Sequence, residues 1–115
     1  LACLAETRKL NVVENAAKRG TQLYNGCKAL MENCDIIGDV RGGYGLMTAI
    51  EMVSDRGTKK PIDSAMATTV QEVAYQNGAM VRVSGPNLIL SPSLILTEDD
   101  ANTLLSAINA GFAAV

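Results

Sequence analysis

Histidine is absent from this chain of 115 residues, and its absence excludes several kinds of site. Without an imidazole the chain cannot build a Ser-His-Asp or Cys-His nucleophile, a histidine acid or base, or a histidine-ligated zinc site. The sequence also lacks a basic run, and 10 Lys and Arg against 12 Asp and Glu give a formal charge of −2. We therefore expect no nucleic-acid partner, and any chemistry must use other groups.

Long apolar runs are missing as well. None approaches the roughly 20 residues that a membrane-spanning helix needs, and no signal-peptide pattern opens the chain. We therefore expect no membrane partner and a cytoplasmic location. The composition, 48% hydrophobic and 19% charged, is typical of one folded domain. The first residue is Leu1 rather than Met, and the apolar spacing of Leu1, Leu4 and Ala5 leads us to expect that the chain starts partway through a helix.

Only three cysteines are present: Cys3, Cys27 and Cys34. An odd count without close pairing does not describe a disulfide framework, and no further metal-type ligands stand near them. Cys27 and Cys34 are two helical turns apart and would share one face of a helix. The spacing favours a place in the core over a redox role, and we predict no metal site.

The pattern of the chain predicts helix, two strands, helix, two strands, helix. Asn11 and Glu14 have the spacing of a capping box before an apolar stripe that runs to Asn33, and residues 1–8 would end an earlier helix. Further signals for helix ends are Asp63, the pair at 77–78, and Thr97 followed by three acids. Apolar runs at 36–40, 46–53, 80–83 and 88–90 predict strands, and the charged stretch 54–61 predicts a solvated surface loop. Short connections between strands predict an α+β, two-layer sandwich: a small antiparallel sheet of three to four strands with helices packed on one face.

Candidate catalytic groups are few. The glycines at 42, 43 and 45 are followed by a strand rather than by the helix N-terminus that would hold a phosphate, so they predict a turn. The acids Asp35, Asp39 and Glu51 show no spacing that demands paired acid and base roles. The five lysines stand in polar surroundings, whereas a Schiff-base lysine needs partial desolvation. We therefore predict no catalytic residue in the chain.

Arg82 is the exception because it interrupts an apolar run, Met80 to Val83, just before a glycine-proline turn. The residues alone leave two alternatives open. Arg82 points to solvent from an edge strand, or it lies at the end of the sheet where its planar fork binds a carboxylate.

Three ordered motifs resemble one known family. Residues 39–51 read DVRGGYGLMTAIE, similar to the Asp-Val-Arg-Gly-x-Gly-Leu-Met-x-Gly-Ile-Glu segment of the class III aminotransferases. Glu14, Asn15 and Ala16 match that family's Glu-Asn-Ala helix start. Arg82 and Gly85, followed by LILSPSLILTE at 88–98, resemble its Arg-x-x-Gly and Ser-Pro-Pro-Leu-Ile-x-Thr-Glu signature.

The resemblance implies part of a pyridoxal-phosphate (PLP) enzyme of fold type I. Residues 1–10 would end a large-domain helix, and residues 11–115 would form the C-terminal small domain. The Schiff-base lysine and the cofactor-binding residues of this family lie in the large domain, and no stretch here matches them. The chain alone would therefore bind no cofactor and be inactive, while the parent would be a homodimer.

In such enzymes an ω-amine or amino acid donor passes its amino group to a keto acid such as pyruvate. The resemblance assigns Arg82 to substrate binding, as the arginine that holds the acceptor's carboxylate and swings away from uncharged groups. The alternative is a free-standing α+β ligand-binding or regulatory module that senses a small carboxylate.

Overall fold

Four helices and five strands make up the fold, and the computed structural model describes residues 1–115. In chain order the elements are α1 (Ala2–Lys9), α2 (Val12–Asn33), β1 (Ile37–Arg41), β2 (Thr48–Asp55), β3 (Lys60–Pro61), α3 (Ser64–Gln76), β4 (Arg82–Ser84), β5 (Asn87–Leu90) and α4 (Glu98–Ala113). All strand pairs are antiparallel. The order across the sheet is β1-β2-β5-β4, and β3 pairs with the end of β2. The predicted α+β class is confirmed.

The core lies between the helices and one face of the sheet. Val40, Ile50 and Leu88 are partners on neighbouring strands, and all three are buried beneath the helices together with residues such as Val70 and Ile108. Burying one such side chain contributes roughly 1.5–3 kcal/mol. The alternate strand residues, which project from the opposite side, are exposed or half-buried. We call that side the open face; it carries Asp39, Arg41, Ala49, Glu51, Arg82, Ser84, Asn87 and Ile89.

The break between the first two helices is confirmed, but the predicted capping box at Asn11 is wrong. Asn11 is left-handed, with φ at 50°, and its side chain makes no capping bond. A capping residue needs extended backbone angles to aim its oxygen at the helix amides. Asn11 instead donates from its side-chain amide to Oε2 of Glu14 at 2.5 Å. Asparagine tolerates left-handed angles better than most residues do, which is why it can form this corner.

The later helix ends follow the predicted local signals. Asp63 accepts a hydrogen bond from the amide of Ala65 at the start of α3, and Gly78 supplies the left-handed residue after its end, with φ at 93°. Thr97 and Asp100 form a complete capping box at the start of α4. Because Thr97 donates to the Asp100 carboxylate from both its backbone and its hydroxyl, the pKa of Asp100 lies below its usual value.

Residues 54–61 are all exposed, which confirms the predicted solvated stretch, but they are not all loop. Lys60–Pro61 form the short strand β3, which adds a fifth strand to the sheet. Arg56 reaches back to the end of α2 and the start of β1, where it donates to the carbonyls of Cys34 at 2.8 Å, Ile37 at 2.9 Å and Met31. The carbonyls at a helix C-terminus lack partners within the helix, so Arg56 satisfies them and fixes the loop.

Candidate functional site

Arg82 opens the edge strand β4 and lies on the open face. The strand register sets it in one row with Ile89, Ala49 and Arg41, so the two arginines stand at opposite ends of that row. Its guanidinium is exposed and has no hydrogen bond or ion pair within the chain. The two positions between the arginines are small or apolar. The guanidinium of Arg82 is thus a planar cation without a partner, beside the apolar side chains of Ala49 and Ile89. Such a group is suited to bind an external anion.

The backbone beside Arg82 is held in place. Ser84 pairs with Asn87 across the β4–β5 turn, and the turn contains Gly85 at a φ of 57°. The carbonyl of Pro86 accepts a hydrogen bond of 2.7 Å from the amide of Met52, which ties the turn to β2. A change in the position of the Arg82 guanidinium therefore requires rotation of its side chain and no rearrangement of the strand.

A second arginine on the open face is paired with side chains of its own chain. Nη1 of Arg41 lies 3.0 Å from Oε2 of Glu51 and 3.3 Å from Oδ2 of Asp39, and Nη2 donates to Oδ1 of Asn87 at 2.7 Å. These four residues form what we call the Arg41 cluster. The nitrogen of Lys28 stands 3.9 Å from Asp39 at its margin. The open face therefore carries two arginines: Arg41, whose charge is paired with carboxylates, and Arg82, whose charge is not.

The sequence analysis did not predict the Arg41 cluster, because its members are far apart along the chain. Asp39 and Glu51 are twelve positions apart, yet they are direct partners on β1 and β2. Antiparallel partners project from the same side of a sheet, so both carboxylates lie on the open face. The signal was present in the predicted hairpin: pairing Arg41 with Ala49 sets Asp39 against Glu51. The contribution of Asn87 comes from β5 and needs the sheet order.

The lysines of this chain are exposed or half-buried. Lys9 and Lys18 are exposed partners of glutamates one helical turn away, and Lys59 and Lys60 are exposed. Lys28 lies over the ring of Tyr24, 5.6 Å from its centroid. A cofactor-binding lysine needs a desolvated pocket. The glycine-rich stretch leads into β2 and not into a helix N-terminus, as the sequence predicts.

The cysteines take the predicted structural role where the chain buries them. Cys27 is fully buried in the core, and burial raises the pKa of its thiol to about 12. Such a thiol stays protonated at neutral pH and is a poor nucleophile. No group of three or more Cys, Asp or Glu side chains is placed to hold a metal ion. None of the four helices combines the length and apolar character needed to cross a membrane.

Known proteins with the same sequence pattern and fold are aminotransferases. Residues 1–112 match the family Aminotransferase class-III. The taurine–pyruvate aminotransferase of Bilophila wadsworthia is 38% identical over 122 aligned positions, which cover 100% of this chain and 26% of that protein. The mitochondrial alanine–glyoxylate aminotransferase 2 homolog 2 of Arabidopsis thaliana is 37% identical, over 95% of this chain and 23% of its own. The crystal structure of a PLP-bound amine transaminase from an uncultivated Pseudomonas species superimposes with a TM-score of 0.90 at 39% identity, over 96% of this chain and 25% of that one.

The chain belongs to the class III aminotransferase family. The motifs at residues 39–51 and 82–98, together with the helix start at 14–16, carry that resemblance in the sequence, and the family match confirms it. The chain spans about a quarter of the length of the relatives named above.

Proposed function

We propose that this chain is the C-terminal small-domain portion of a PLP-dependent class III aminotransferase. Residues 11–115 would form that domain, and residues 1–10 would end a helix of the large domain. The whole enzyme would move an amino group from an ω-amine or amino acid donor to a keto acid such as pyruvate. Family membership favours this function over a free-standing carboxylate-sensing module, since the relatives are aminotransferases. The homodimeric state and the cytoplasmic location remain predictions.

The observation that carries the proposal is the unpaired guanidinium of Arg82. A keto acid such as pyruvate presents a planar carboxylate, which matches the arginine fork through two parallel N–H···O bonds. Arg82 forms no ion pair with a carboxylate of its own chain, so no such pair has to break before it binds the substrate. Its role would be to select and orient the acceptor. Rotation of its side chain away from the site would admit an uncharged substrate.

The chemical step itself would use residues outside 1–115. The lysines of this chain lie on its surface, and its glycine-rich turn has no helix N-terminus behind it. We therefore expect the isolated chain to bind no PLP covalently and to transfer no amino group. In the whole enzyme this portion would contribute substrate selection and part of the wall of the site.

The test is Arg82→Ala in the full-length enzyme, with steady-state KM values for pyruvate and for the uncharged acceptor propanal. Losing a charge-assisted, paired hydrogen bond costs roughly 1.5–3 kcal/mol, so the KM for pyruvate should rise about tenfold to a hundredfold. The KM for propanal should stay within about twofold. Arg82→Lys keeps the charge without the fork and should give an intermediate value.

Lys60→Ala serves as the matched control for this test. Lys60 is an exposed cation of the same sheet, on β3, which pairs with the far end of β2. Its loss should change neither KM. An equal rise for both acceptors in Arg82→Ala would contradict the assigned role.

A further inference from the structure

We propose that Arg41 is a positioning residue that keeps Arg82 free for the acceptor carboxylate by neutralising Asp39 and Glu51. The inference rests on the proposed function of Arg82. Both arginines lie on the open face in one row, and the two carboxylates lie in the adjacent row of the same face. The face therefore holds two anions that could compete with a substrate for Arg82.

Glu51 is the anion that matters most. It lies on β2, two strands from β4 and two residues along from the Arg82 row, which corresponds to about 12 Å at the usual strand spacing and rise. That separation exceeds the Debye length of about 8 Å at physiological ionic strength, but it is well within the length of about 30 Å at 0.01 M, so the charge of Glu51 acts at Arg82 in low salt. The residues of β5 that lie between them are Asn87, the partner of Glu51, and Ile89, the partner of Arg82.

Arg41 is the cation that cancels this charge. It is the one ion-pair partner of Glu51 in the chain, at 3.0 Å, whereas Asp39 also has Lys28 nearby. Asn87 accepts from the second nitrogen of the fork and so orients the first toward both carboxylates. Without Arg41, Glu51 would have no cation beside it. Its field would attract the Arg82 guanidinium and repel an incoming carboxylate.

The sign of the charge separates this role from a purely structural one. In the full-length enzyme at about 0.01 M ionic strength, Arg41→Gln should raise the KM for pyruvate about two- to tenfold and leave the KM for propanal unchanged. Neutralising the carboxylates as well, in Arg41→Gln/Asp39→Asn/Glu51→Gln, should restore the pyruvate KM to within about twofold of the wild-type value. A structural role predicts the opposite: a similar loss for both acceptors, and a triple variant that is worse than the single one.

The single variant Glu51→Gln provides a second test in which Arg41 is retained. It frees part of the positive charge of Arg41 on the open face, so the KM for pyruvate should fall about twofold while the KM for propanal stays constant. A rise or an unchanged pyruvate KM would overturn the inference. This variant also decides the question if Arg41→Gln fails to fold.

Arg82→Ala, measured in the same series, distinguishes a failure of the role proposed for Arg82 from a failure of the role proposed for Arg41. If it raises both KM values equally, the function proposed for Arg82 fails and the role of Arg41 fails with it. If it raises only the pyruvate KM while Arg41→Gln affects both acceptors, only the role of Arg41 is overturned. In the double variant Arg82→Ala/Arg41→Gln, the second change should raise the pyruvate KM less than it does in the wild type, because only the direct repulsion of the carboxylate remains.

Discussion

Replacing Gly20 by alanine should destabilise the domain although alanine is the better helix former. Gly20 lies in α2, and a Cβ built there would stand 1.9 Å from the carbonyl oxygen of Gly45 in the turn between β1 and β2. Real Cβ atoms come no closer than about 3.0 Å to such an atom, so the helix or the turn must shift by about 1.1 Å. The neighbour is backbone and cannot rotate away. Overpacking of this kind costs roughly 1–3 kcal/mol, which exceeds the gain in helix propensity of roughly 0.5–1 kcal/mol.

Gly26→Ala in the same helix provides the matched control. Its Cβ would also be crowded, at 2.4 Å, but by the end of the Leu105 side chain, which can change rotamer. Both variants gain the same helix propensity, so the difference between their thermal midpoints isolates the backbone contact. We expect Gly20→Ala to melt several degrees below Gly26→Ala in the full-length protein. A Gly20→Ala protein as stable as the wild type would refute the close approach of α2 to the turn.

Two further predictions concern the core and the loop that closes it. Arg56→Ala should lower the free energy of unfolding by about 1–3 kcal/mol, since three backbone carbonyls each lose a hydrogen bond; an unchanged urea midpoint would contradict this role. Cys27 should stay unlabelled by iodoacetamide up to pH 9 in the native protein, because its pKa of about 12 keeps it a thiol, and it should react on denaturation. Peptide mapping by mass spectrometry reads this directly, and native labelling would contradict the burial.

Local signals were sufficient for most of the fold. Asp63 and Thr97 mark helix starts because their oxygens satisfy amides within the next turn, an interaction that needs no distant partner. The apolar stripe of α2 likewise predicts which side of that helix is buried. Asn11 misled the prediction because the same residue type serves as a cap or as a left-handed corner, and the choice depends on how α1 meets α2.

The parts that sequence reasoning missed depend on distant contacts. Arg56 looks like a surface charge until the chain folds and brings the end of α2 beside it. The Arg41 cluster draws on three strands, and its members are neighbours only through the sheet order. Arg82 could be singled out because a charge within an apolar run is unusual, but its lack of a partner is a property of the folded sheet.

The central claim is that Arg82 binds the carboxylate of the amino acceptor. The most direct measurement is a crystal structure of the full-length enzyme with PLP and a bound keto acid or an unreactive carboxylate analogue. The account predicts two hydrogen bonds of roughly 2.7–2.9 Å from the Arg82 guanidinium to that carboxylate, with Arg41 still on Asp39 and Glu51. A carboxylate held by other groups, with Arg82 still facing solvent, would contradict it.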